Sequence, residues 1–250
     1  MRLPFLDRAD ETSRLSAVLD APGAGGLAVV YGRRRCGKST LLRQVRREGD
    51  AYYLADEREA LPQIQSLAQE VARVIPGFAA AHYPSWDALL RTLNERATPG
   101  SALILDEFPW LAQVSPELPS LLQKYLDSTG TRRFHVVLCG SSQRMMHGLV
   151  LDATAPLYGR AEAILRVDAL APGWMPEAFP GLSPRKCIEA YAVWGGVPRY
   201  WELAGSGKGL APAIRELILN RNGTLHEEPM RLLLDDMRTA AQPYSVLSLI

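Results

Sequence analysis

Along the first two thirds of the chain, short apolar runs alternate with stretches whose apolar residues recur at helical spacing. The runs are LAVVY at 27–31, AYYLA at 51–55, ALILD at 102–106, HVVLCG at 135–140 and AILRV at 163–167. Each is continuously apolar, the pattern of a strand covered on both faces of a parallel sheet. Residues 38–48, 60–74, 85–97 and 117–128 read as helices; in 60–74 the residues Leu61, Ile64, Leu67, Ala68 and Val71 form one stripe. The alternation predicts an α/β core over 1–168 with a doubly wound, five-stranded parallel sheet.

The pattern changes after residue 168. APGWMPEAFPGLSP at 171–184 is turn punctuation. Ser183 is placed as an N-cap and Pro184 at the first helical position of a helix that runs to about Trp194 and stops at Gly195-Gly196. Residues 197–204, 210–222 and 229–240 also read as helical, with no strand pattern. A small all-helical domain is therefore expected over 169–228.

Composition narrows the setting. Of 250 residues, 47% are hydrophobic and 22% charged, as in ordinary globular proteins. No apolar run is long enough to span a bilayer. The opening MRLPFLDRADE carries acids where a secretory signal needs an apolar core, so a cytoplasmic setting with no membrane partner is expected. A net charge of +1 gives no global attraction to nucleic acid or anionic lipid. Cys36, Cys139 and Cys187 form no CxxC pair, and His82, His135, His147 and His226 lack metal-ligand spacing. Cys139, within an apolar run, reads as core.

The sharpest motif is GRRRCGKS at 32–39, followed by Thr40, a G-x-x-x-x-G-K-[ST] loop between a buried strand and a helix. Phosphate oxygens need several donors close together; such a loop converges backbone N–H groups at a helix N-terminus. Gly32, Arg33, Arg34, Arg35, Cys36, Gly37, Lys38, Ser39 and Thr40 are the expected nucleotide-binding residues. Lys38 reaches the β and γ phosphates and Ser39 ligates Mg²⁺. The three arginines either meet phosphate or stay solvated. ATP or GTP would satisfy the loop.

The second motif is ALILDEFPWL at 102–111, an apolar strand ending in acids. Asp106 is expected to hold Mg²⁺ opposite Ser39, and Glu107 to orient or deprotonate the attacking water. AYYLA intervenes between the loop strand and this one, which points to the class of P-loop proteins with an extra strand between the two. The third is HVVLCGSSQRMM at 135–146, where Ser141 and Ser142 are candidates for a γ-phosphate sensor or a helix N-cap.

These motifs, with FLDRADETSRLSAVL at 5–19, APLYGRAEAILRVDAL at 155–170 and YAVWGGVPRYWEL at 191–203, resemble the archaeal-type ATPases, a branch of the STAND/AAA+ P-loop ATPases. In the entry motif Asp7 stands where glycine is usual. The resemblance implies a helical lid brought over adenine and ribose by Gly195, Gly196 and Pro198, with Arg8 near the base. It implies that Arg160 points at the phosphates or across a subunit boundary; otherwise Arg160 is a surface arginine paired with Glu162 or Asp168. It also implies that residues 229–250 begin a winged-helix domain, cut short here, through which any DNA contact would run. The expected function is Mg-dependent ATP binding and hydrolysis driving a conformational cycle, with possible self-association. The alternatives are a slow or non-hydrolysing nucleotide switch and, more weakly, a small-molecule kinase.

Overall fold

The computed structural model describes residues 3–23, 25–128, 130, 132–205 and 209–236. They form two units. One comprises Arg8–Gly32 and Lys38–Val167; the other comprises Arg33–Gly37 and the chain from Asp168 on, with residues 3–7.

The first unit is built on five strands: β1 (Leu27–Tyr31), β2 (Ala51–Leu54), β3 (Ser101–Asp106), β4 (Phe134–Gly140) and β5 (Ala163–Arg166). All neighbours are parallel, in the order β2-β3-β4-β1-β5. The central strands β1, β3 and β4 are buried almost throughout, as continuous apolar runs require. At the β5 edge burial alternates instead, with Ala163 and Leu165 inward and Ile164 and Arg166 exposed.

The helices of this unit are α1 (Ala9–Leu19), α2 (Lys38–Val45), α3 (Ala60–Ala72), α4 (Trp86–Arg96), α5 (Phe108–Val114), α6 (Leu118–Leu126) and α7 (Gln143–Met146). The stripe anticipated on α3 is buried at Ile64, Leu67, Ala68 and Val71, whereas Leu61 is exposed. Ser85 caps α4 by accepting from the Ala88 amide at 3.3 Å. Trp86, Phe78 and Phe108 fill the space between these helices and the sheet.

One strand placement needs correction. AYYLA precedes β3 in sequence, but it lies on the sheet edge; the strand between β1 and β3 in space is β4. The extra-strand class holds, carried by β4. Sequence order hides this, because parallel strands joined by helical crossovers need not sit in chain order.

The second unit is helical among its described residues: α8 (Met175–Ala178), α9 (Pro184–Trp194), α10 (Pro198–Ala204), α11 (Leu210–Ile214) and α12 (Glu228–Asp236). Pro184 starts α9 and Gly195 ends it with φ of 57°. The helix expected over 210–222 widens into a π turn at Arg215–Leu219 and stops at Asn220. Its core gathers Leu170, Met175, Cys187, Trp194, Trp201 and Leu225. Most of the expected winged-helix start lies outside the described residues.

Candidate functional site

In a parallel sheet the C-terminal strand ends lie along one edge, where ligands of open α/β sheets bind. Here register aligns Tyr31 with Gly140 and Leu138 with Leu105. The segments that follow β1, β3 and β4 therefore leave the sheet at one level, and they carry three of the expected motifs.

The P-loop leaves β1 at Gly32. Gly32 has φ of 146°, and a Cβ there would run into the Val167 carbonyl, so the position demands glycine. Gly37, with φ of 95°, precedes α2. Lys38 opens α2, is 5% exposed, and donates from Nζ to the Gly32 carbonyl at 2.9 Å. An ammonium parked on a carbonyl of its own loop is ready to exchange that acceptor for phosphate oxygen. Arg35 has φ of 66°, unusual for a residue with a side chain.

Asp106 ends β3 and is fully buried. Its Oδ2 accepts from the Tyr52 hydroxyl at 2.6 Å and its Oδ1 from the Glu107 amide at 3.0 Å. No ion-pair partner of Asp106 appears among the described residues. A buried carboxylate without a counter-cation is costly, and such a group could serve as one oxygen ligand of a divalent ion. Among the described residues no three His, Cys, Asp or Glu side chains gather as a self-sufficient metal centre. A magnesium ion bound together with nucleotide would not need one, since phosphate and water would supply the remaining ligands. Burial, then the Asp106 charge, pushes both the Tyr52 phenol and the Cys139 thiol well up, so neither ionises at neutral pH.

Glu107 has φ of 55° and ψ of 41°, a left-handed turn between β3 and α5. Its carboxylate is fully engaged by one residue: the Ser141 hydroxyl donates to Oε1 in a short hydrogen bond, and the Ser141 amide donates to Oε2 at 3.2 Å. The two serines have different partners. Ser141, 8% exposed, holds Glu107, whereas Ser142 caps α7 by accepting from Met145 N at 3.4 Å.

Arg160 lies elsewhere in its network. It donates from Nε and Nη2 to both oxygens of Asp127, at 2.8 and 2.7 Å, and from Nη1 to the Pro156 and Tyr158 carbonyls. Its surface partner is thus Asp127 and not Glu162 or Asp168. Arg8 is buried beside Glu11 at 3.1 Å, and Asp7 has φ of 58°, a left-handed backbone that aspartate tolerates better than most residues.

Within the helical unit, GGVPRY is a packing device. A Cβ on Gly196 would collide with the Leu170 backbone, and the Leu170 amide donates to the Gly196 carbonyl at 2.7 Å. Pro198 opens α10, and Trp201 Nε1 donates to the Gly195 carbonyl at 2.5 Å. Two residues that the sequence reading passed over, Tyr52 and Glu228, hold polar groups of the motifs. Tyr52 carries a weak signal, a tyrosine within the strand before the acidic one.

Similarity to known proteins agrees with this geometry. A family model described as an ATPase domain predominantly from Archaea matches residues 5–203. The chain belongs to this family of ATPase domains. An uncharacterized protein of Methanocaldococcus jannaschii is 33% identical over 203 residues, which are 79% of this chain and 43% of that protein. The ATPase domain therefore spans under half the length of that curated relative. Among solved structures, a Walker-type ATPase of Pyrococcus abyssi superposes with a TM-score of 0.61 at 22% identity, covering 91% of this chain and 71% of that one. An ORC2 protein of Aeropyrum pernix in ADPNP–ADP complexes gives 0.61 at 19% identity, covering 86% and 68%. At these identities the structures show a shared P-loop ATPase fold. No helix among the described residues is long and apolar enough to cross a membrane.

Proposed function

We propose that this ATPase domain binds ATP with Mg²⁺ and hydrolyses it to run a conformational cycle. The observation that carries the reading is the grouping of Lys38, Asp106, Glu107 and Ser141 where β1, β3 and β4 end, with Glu107 held by a hydroxyl that a γ-phosphate can compete for. Lys38 leaves the Gly32 carbonyl and meets the β and γ phosphates. Ser39 and Asp106 would hold Mg²⁺, which would offset phosphate charge when bound. The γ-phosphate takes the Ser141 hydroxyl as donor, and the Glu107 Oε1 so released accepts a proton from the attacking water as its oxygen bonds to the γ-phosphorus and the bond to ADP breaks. Arg160 enters only if it leaves Asp127, in trans to a second copy of the chain.

The double hold of Ser141 on Glu107 favours a second reading, in which the base stays engaged and the domain acts as a slow nucleotide switch. Steady-state phosphate release at saturating Mg-ATP separates the two. For the hydrolytic reading, Glu107→Gln should retain Mg-ATP and lose about 10²-fold or more in turnover, the scale of a missing general base. A parent chain that releases no phosphate leaves the switch; a Glu107→Gln variant with the parent rate removes the catalytic role of Glu107.

A further inference from the structure

Within the helical unit, Glu228 in the first turn of α12 is 7% exposed. Its Oε1 accepts from the Tyr200 hydroxyl at 2.6 Å, and its Oε2 lies 2.7 Å from Nη1 of Arg35. That second approach is an ion pair without hydrogen-bond geometry, since Oε2 accepts no hydrogen bond among the described residues. Arg35 itself is two residues before Gly37 of the P-loop, and Tyr200 is the tyrosine of GGVPRY. A loop whose ordinary ligand is phosphate thus has one of its guanidinium groups held by a carboxylate.

The hold is imperfect. A desolvated carboxylate gains from an ion pair only when its lone pairs are also satisfied, and here one oxygen is not. The surroundings also favour an anion. A cavity of about 490 Å³ beside Arg35 is lined by Arg199, Arg221 and Arg231 as well, with Arg199 paired to Glu202 and Arg231 to Glu227. Among the described residues Arg221 has no ion-pair partner. A nucleotide polyphosphate is a stronger and multiply charged partner for a guanidinium than one carboxylate.

We propose that Glu228 is a positioning residue that competes with nucleotide phosphate for Arg35. Without nucleotide, Glu228 and Tyr200 hold the guanidinium. When a nucleoside triphosphate occupies the P-loop, Arg35 passes to phosphate. Glu228 is then a buried charge without a cation, so the first turn of α12 must shift to return it to water. The pair therefore couples the state of the P-loop to α12. This inference rests on the nucleotide-binding reading above and adds the residue that tunes it.

The test is a titration of Mg-ATP against the parent chain, Glu228→Gln, Arg35→Ala and the double variant, each checked by thermal melting. Glu228→Gln keeps an acceptor for Tyr200 and removes the charge, so binding should tighten about 5- to 10-fold, a modest share of what a charged pair is worth. In the Arg35→Ala background the same change should do nothing. Equal affinity of parent and Glu228→Gln, weaker binding by it, or the same tightening without Arg35 would each overturn the competition. If Glu228→Gln does not fold, Tyr200→Phe carries the test: it loosens Glu228 with both charges kept, and should tighten binding in the same direction by a smaller factor, with no change overturning the idea. A parent that binds no nucleotide would instead remove the P-loop reading itself.

Discussion

The sheet unit and the helical unit treat polar groups differently. In the sheet unit, Lys38, Asp106 and Ser141 are all buried, at the ends of strands fixed by a large apolar core. Among the described residues that core holds thirty buried side chains, against nine in the helical unit. The helical unit instead rests on a few large residues, Trp201 and Trp194 foremost, and leaves most of its charged side chains half-exposed or exposed. Lys38, Asp106 and Ser141 thus sit where backbone movement is most costly. The Arg35–Glu228 pair sits where local opening costs less.

The largest test of that contrast is Trp201→Ala. Trp201 is fully buried and bonded to the Gly195 carbonyl, so its loss should cost about 3–5 kcal/mol, as for other buried tryptophans. Amide hydrogen exchange should show lost protection in α9 and α10 with β1, β3 and β4 still protected. Uniform loss in both would mean that the two units unfold as one.

Lys38→Ala sharpens the other side. It removes the charged donor of the loop while the strand beneath is left whole, so Mg-ATP affinity should fall about 10²-fold, the scale of a hydrogen bond to a charged group. Fluorescent-nucleotide titration at matched thermal stability is the measurement; an unchanged affinity would leave the loop without its assigned ligand.

A smaller effect comes from His135 in β4. It is 1% exposed, its Nδ1 accepts from the Gly26 amide at 3.2 Å, and its Nε2 has no partner among the described residues. Burial, then the charge of Arg47, lowers its pKa in the fold below the ordinary 6.5. The unfolded chain therefore takes up the proton first. Stability from the neutral ring is complete above 6.5 and is lost as pH falls from there through the folded pKa. Urea melts of the parent between pH 7.5 and 5 should show that slope, and His135→Gln should flatten it.

Much of the sheet unit was readable from sequence because its signals are local. A buried parallel strand is a continuous apolar run, and 27–31 and 102–106 end where β1 and β3 end. The P-loop and the Asp106-Glu107 pair are read from neighbours in the chain. What escaped depends on contacts between distant segments. Tyr52 meets Asp106 because the register of β2 on β3 brings them together, and nothing in AYYLA states that register. Glu228 meets Arg35 through the folding of the helical unit, and an isolated glutamate at a helix start reads only as a favourable end charge. The edge position of β2 was missed for the same reason.

Arg35 also says something about the choice of amino acid at its position. With φ of 66°, glycine would sit there without strain, whereas a side chain costs about 1 kcal/mol in backbone energy. Glycine would give a more relaxed loop without the guanidinium at this position. Arginine gives a loop with a built-in charged arm, so the residue is a compromise between backbone ease and the reach of a guanidinium, and a glycine variant should have the quieter backbone and no hold on Glu228.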